Sequence, residues 1–425
     1  MRTILLAMAA AWLAAAPWAL AQEEDPFGSG DPFATLEQAK DEGHVSSGVA
    51  SAGQGGPSSR AEVFLKGFLT EINKTSPVNP GNRALALMER TGTVETRLTA
   101  QDFLDRDHSW RWLFRGFAAG PNYHGADGSQ GAKEARVDEI FTDWKGDTLF
   151  SSFGKRRINW GHAQGFNPVN VVAPPRDPLN PQYQTEGQPM IWASASAAMG
   201  TADVILTRDY GQDWNSAAFR WGARWTIASA TSDFSLYYFG GEKHKDGGDY
   251  EAMTGVSFAT SFTGGFTLYA EGAWFARNYR GYYGHDGERL QKAGGYAQGV
   301  AGVSVNLGSR SSFFVEALYN GQGYSKEERS RFMASPAAAD FIPLAMNRGY
   351  LLANLRKDFM EKWNFGANLL AAGDGSASAR VELDYSITDY YEAQVSYLRN
   401  FGPRDSEFGA SPVKGFLQIG IKASF

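Results

Sequence analysis

The sequence predicts an all-β fold, an antiparallel transmembrane β-barrel of about 18 strands with 16 as the alternative, built with short turns at one end and long loops at the other. Three observations carry this expectation. The chain opens on an export leader, and apolar and polar residues alternate with period two from residue 61 onward. Aromatic residues make up 14% of the chain, yet it is mildly polar overall. A membrane barrel needs only every second residue to be apolar, with aromatic girdles at the two interfaces. A soluble α/β enzyme of this length would bury longer aliphatic runs.

The leader has Arg2 as a small positive region, an apolar run over residues 4–20, and Ala19-Leu20-Ala21 as a small-x-small cleavage site. Residues 1–21 are therefore expected to be a cleaved signal peptide, with the mature chain starting at Gln22. Pro17 and the acidic residues after the site argue against a membrane anchor. Loss of Arg2 takes the formal charge from -6 to about -7, an acidic balance that excludes nucleic acid as a partner. There are no cysteines, which removes disulfides, thiolate metal sites, covalent haem attachment and a cysteine nucleophile. Beyond the leader there is no uninterrupted apolar run of about 18 residues, so membrane-spanning helices are not expected.

Residues 22–60 are polar and rich in Gly, Ser and acidic side chains, and read as a periplasmic extension or a plug. A short helix over residues 32–39, capped by Asp31, is the one element expected there. The barrel is expected over residues 61–425. Its clearest strand is the last: Leu417, Ile419, Ile421, Ala423 and Phe425 share one face, and Gln418, Gly420, Lys422 and Ser424 the other. The same alternation sets Phe219, Trp221, Ala223, Trp225 and Ile227 against Arg220, Gly222, Arg224 and Thr226. It also sets Val381, Leu383, Tyr385 and Ile387 against Arg380, Glu382, Asp384 and Ser386, and Tyr391, Ala393, Val395 and Tyr397 against Glu392, Gln394 and Ser396. Glu316 falls on the polar side of a less regular strand. Lys145-Gly146, Gly264-Gly265 and Thr388-Asp389 read as tight turns, and residues 277–295 and 321–347 as long loops.

One segment departs from this pattern. Residues 136–170 read RVDEIFTDWKGDTLFSSFGKRRINWGHAQGFNPVN, two strands meeting at Lys145-Gly146 and followed by a loop with six prolines. The segment resembles the hairpin of large outer-membrane barrels akin to the alginate-export-type proteins and their porin-like relatives, in which an acidic-aromatic strand precedes a G-R-x-x-I-N-W-G strand and an N-P-V-N loop. Glu139 and Phe141 match the first strand, Arg156 or Arg157 the basic position, and Asn159, Trp160, Gly161, Asn167 and Pro168 the remainder. The likeness covers about 35 residues; it implies a wide barrel with a solute or polymer path. Separately, Phe425 as the terminal aromatic of the amphipathic last strand resembles the recognition signal that the bacterial barrel-assembly machinery reads.

Read physically, Glu139 is expected to pair across the hairpin with Arg157, because either charge shielded from water alone is costly. Lys155, Arg157 and Asn159 are expected on one face, with Arg156 turned towards lipid headgroups. The proline-rich loop is stiff and suits either a constriction or an external loop, with Arg176 and Asp177 as its charges. Candidate pore-lining or constriction residues are thus Glu139, Lys155, Arg157, Asn159, Arg176, Asp177, Arg220, Arg224, Glu316, Arg380, Glu382, Asp384 and Glu392. No catalytic, metal or cofactor site is expected: the six histidines have no metal-ligand spacing, and Asp107-His108-Ser109 would point to alternate faces of a strand. The function expected is an outer-membrane channel passing small hydrophilic or anionic solutes or oligomers. Its partners would be outer-membrane lipid and lipopolysaccharide, the assembly machinery and the solute. The alternatives are a structural or interaction barrel in an envelope complex and, less favoured, an outer-membrane hydrolase.

Overall fold

Alternating side chains generate the wall. In the computed structural model, which describes residues 58–83, 85–103, 111–119, 134–173, 177–179, 186–208, 219–241, 252–278, 280–283, 288–291, 294–307, 311–335 and 346–425, the alternation becomes one closed sheet. Its first strands are β1 (Ser58–Ile72), β2 (Arg90–Phe103), β3 (Arg111–Ala119), β4 (Glu134–Lys145), β5 (Leu149–Arg156) and β6 (Gln188–Ala197). Then come β7 (Gly200–Arg208), β8 (Phe219–Ala228), β9 (Ser232–Gly241), β10 (Met253–Phe262) and β11 (Phe266–Phe275). A separate small hairpin follows, β12 (Gly281–Tyr283) and β13 (Arg289–Gln291). The wall resumes with β14 (Tyr296–Asn306), β15 (Ser311–Asn320), β16 (Gly349–Phe359) and β17 (Trp363–Ala372). It finishes with β18 (Ala377–Ser386), β19 (Tyr391–Phe401) and β20 (Val413–Ser424).

The sheet has 18 strands, each antiparallel to the next, and β20 pairs with β1 to close it. At the seam Ala61 and Phe425 exchange backbone hydrogen bonds of 3.0 and 2.8 Å. Closure leaves no unpaired strand edge, which a lipid environment demands. A ten-residue strand is about 33 Å long, and tilted as barrel strands are it spans an apolar band of about 25 Å.

Period two sorts the residues as expected. Phe219, Trp221, Trp225 and Ile227 are exposed on the outer face of β8, and Ile419 and Ile421 on that of β20. Between them point Arg224 and Thr226, or Gln418 and Lys422, towards the interior. Gly146, the Gly264-Gly265 pair and Thr388-Asp389 lie in short connections, β4 to β5, β10 to β11 and β18 to β19. The opposite end carries the longer loops, with the brief 373–376 connection between β17 and β18 as an exception. Both long loops hold structure that alternation does not report. Residues 277–295 contain the β12–β13 hairpin, and residues 321–347 contain helix α1 (Lys326–Ala334), whose Ser325 and Glu328 form a reciprocal capping box. Only Phe332 and Met333 of α1 are buried, so its charged sequence carries almost no apolar stripe to read. β1 begins at Ser58, three residues before the expected start; the signal peptide, the helix over 32–39 and most of the 22–60 extension lie outside the described residues, as do Asp107, His108 and Ser109.

Candidate functional site

The described residues of the connection from β5 to β6, 157–173, 177–179 and 186–187, turn into the barrel. Its outgoing stem is fixed by Glu139 on β4, which receives Arg157 Nη2 at 2.6 Å, the Arg157 backbone N–H at 3.1 Å and Arg115 Nη1 of β3 at 2.9 Å. A bulge between Arg115 and Gly116 places both Asp138 and Glu139 in buried positions. The returning stem is clasped by Glu186, which pairs with Lys155 and lies 4.0 Å from Arg136, while Gly187 N–H donates to the Asp138 carbonyl at 2.9 Å.

Within the loop, three asparagines tie the turn. Asn167 Nδ2 donates to the Trp160 carbonyl at 2.6 Å and to Asn159 Oδ1 at 3.1 Å, and Asn167 Oδ1 accepts from Asn170 N–H at 3.1 Å. Asn170 Nδ2 reaches Asn159 Oδ1 at 3.2 Å. Side chains so placed substitute for the ladder that an irregular segment lacks. Gly161 sits at φ +95°, and a Cβ there would meet Asn167 Oδ1 and Val169 at 2.8 and 2.7 Å. The Asn-Trp-Gly and Asn-Pro-Val-Asn residues therefore fold the loop on itself.

The tip crosses to the far wall. Glu271 on β11 accepts the backbone N–H of His162 and, at 2.6 Å, that of Ala163. Glu316 on β15 accepts those of Gln164, Gly165 and Phe166 at 2.5, 3.0 and 2.9 Å, and the Tyr269 hydroxyl at 2.8 Å. Apolar packing supports the span. Ile158, Trp160, Val169 and Val172 join the inner faces of β6 to β11 and β14, and Ala163, Phe166 and Leu179 join inner residues of β10, β11 and β14 to β17. Trp160 is 1% exposed, with Tyr237 at 5.8 Å and Arg224 over its ring at 5.6 Å.

The inner faces of β18–β20 and β1–β5 carry most of the remaining charge. Lys66 and Arg97 share Glu95, at 2.8 and 2.5 Å. Arg115 and Arg157 share Glu139. Lys422 and Arg60 reach Glu62 at 3.4 and 3.2 Å, and Arg380 meets Glu382 at 2.5 Å. Asp384 and Glu392 lie nearer the short turn between β18 and β19.

These contacts revise several expectations. Arg156 does not face headgroups; it is 3% exposed on the inner face, 2.5 Å from Asp143 and stacked over Phe141, Phe150 and Trp192. Phe153, 64% exposed, must face lipid, and its parity turns Lys155 outward and Arg156 inward. Arg157 follows the last residue of β5, so strand alternation no longer constrains it and it can reach Glu139. Asn159 is part of the loop's internal knot. Asp177 accepts from Leu179 N–H at 2.9 Å, and Arg176 lies outside the described residues. Arg224 pairs with Asp203 at 2.8 Å and Arg220 lies 4.4 Å from the Phe239 ring, on the part of the wall that the loop packs against. Glu316 holds the loop. Of the candidates, Arg380 reaches the loop, donating to the Leu179 carbonyl at 3.5 Å; Glu382, Asp384 and Glu392 remain on the wall, with Glu139 and Arg157 at the stem. Sequence reasoning missed Lys66, Glu95, Arg97, Arg115 and Glu271, although each sits on the inner parity of its strand.

No family model matches the chain, and no curated protein does. Solved structures do. OccAB2 of Acinetobacter baumannii superposes with a TM-score of 0.51 at 10% identity, over 86% of this chain and 98% of that one. A triple-mutant porin of Rhodopseudomonas blastica gives 0.46 at 9% identity, over 87% and 100%. At such identity the likeness to OccAB2 is one of fold: the chain is a closed 18-strand antiparallel barrel.

Proposed function

We propose that the protein is an outer-membrane channel that passes small hydrophilic solutes and prefers anions. The observation that carries this reading is the loop folded across the barrel beside a wall on which pairs of cations share single carboxylates. Lys66 and Arg97 divide Glu95, and Arg115 and Arg157 divide Glu139, so each cluster keeps a net positive charge next to the loop stem. Charge rings and a constriction are what channels use to select, and low-dielectric walls focus the field of such clusters on a passing ion. The acids Asp384 and Glu392 near the turn end make the lumen two-signed. The likeness of residues 136–170 to alginate-export-type barrels points the same way, towards a path for solutes or oligomers.

The outer apolar faces supply the surface for outer-membrane lipid. Phe425, 65% exposed beside the seam, is the residue we assign to recognition by the assembly machinery. Liposome swelling with the purified chain tests the reading: small mono- and dicarboxylates should enter faster than neutral sugars of equal size, and cationic amines slowest. No swelling with any solute would leave the interaction barrel as the better account.

A further inference from the structure

We infer that Glu271 and Glu316 are the positioning residues of the constriction, two wall carboxylates that latch the loop tip across the barrel through its backbone. This inference rests on the channel reading above and specifies what sets the size of its path. Five consecutive backbone N–H groups, from His162 to Phe166, are taken up by these two side chains. Glu271 opposes Val300 on β14 and Glu316 opposes Gly302 two residues along, so the acceptors stand close together on the far wall. Gly302 leaves room for the Tyr269 ring, whose hydroxyl steadies Glu316.

Both carboxylates are buried, and among the described residues neither has a salt-bridge partner. Their charge is met by backbone donors of the tip and one hydroxyl. Hydrogen bonds to an ionised acceptor are about twice as strong as neutral ones. Donors face both oxygens of Glu316, so a glutamine there must turn its NH2 group on some of them and breaks that half of the latch while keeping the shape. Glu271 takes both its tip donors on Oε1, so Glu271→Gln weakens its half through loss of the charge alone. The tip contributes little side-chain chemistry of its own: Gln164 has no hydrogen-bond partner for either end of its amide among the described residues. Gly165 is required by space, since a Cβ there would run into Leu352. The stem is fixed separately, by Glu139 and Glu186, so losing the latch frees the tip without detaching the loop.

The absence of cysteines makes the test clean. Full-length protein carrying Q164C is labelled with a maleimide in detergent, with and without E271Q/E316Q. We expect slow labelling in the wild-type wall and acceleration of at least tenfold in the double variant, whose heat-dependent gel mobility checks that the barrel has formed. In planar bilayers E271Q/E316Q should give larger and noisier steps than wild type. Adding V169C/G255C should restore quiet, wild-type steps on oxidation, because a Cβ at Gly255 would lie 2.9 Å from Val169 Cγ1, close to the span a disulfide needs. Should E271Q/E316Q fail to fold, E316Q alone is read in the same way. Unchanged labelling together with unchanged conductance overturns the latch. Absence of steps in wild type overturns the channel reading instead, and the labelling rate still decides the latch.

Discussion

At the scale of the residue, the inner wall solves one problem repeatedly: how to keep a charge away from bulk water at tolerable cost. Arg156 does so with Asp143 and three aromatic rings, and Arg224 with Asp203 and the Trp160 ring. Glu139 is the most burdened, because two guanidinium groups and a backbone N–H depend on it. Removing a partner from such a group leaves an uncompensated charge, which in buried pairs costs about 3–5 kcal/mol, less here because Arg157 is one-quarter exposed. Glu139→Lys is accordingly expected to lower the yield of heat-modifiable barrel on a gel and to destabilise the loop stem; wild-type assembly and conductance would contradict the pairing. The Glu139–Arg157 contact was legible from the hairpin. The Arg115 contact was not, because it depends on a bulge that shifts the β3–β4 register by one residue.

At the scale of the element, strands and turns were legible and the loop only partly so. Period two survives in β8, β19 and β20 because each has lipid on one side and a polar interior on the other. The prolines signalled stiffness, but the direction of the loop was not encoded locally. It is decided by acceptors more than one hundred residues away, Glu271 and Glu316, which in sequence look like any inward carboxylate. Arg224 and Glu316 read as wet in the sequence for the same reason. Their parity is correct, and what covers them is a segment from elsewhere in the chain. Asn167 is the centre of the loop's own fold, and Asn167→Ala removes its bonds to Trp160, Asn159 and Asn170 together. At about 1 kcal/mol for each lost bond, this loosens the turn without unfolding the wall. Protease cleavage confined to the loop, with unchanged gel mobility, is the expected outcome; wild-type resistance would show that apolar packing alone suffices.

At the scale of the whole molecule, the barrel divides its interior between two tasks. The inner faces of β6–β11 and β14–β17 receive the loop on apolar clusters, and those of β18–β20 and β1–β5 hold paired charges. The closed sheet of 18 strands follows from the alternation and the seam at Phe425. The division of the interior follows from the loop, and on the channel reading proposed above it converts a wide ring into a narrower, positively biased path. The zero-current potential of the wild-type chain in a planar bilayer under a tenfold KCl gradient tests that account most directly. It should show discrete steps with a reversal potential on the chloride side, moved towards potassium by K66E/R97E. A bilayer without steps, or a potassium-preferring wild type, would contradict it.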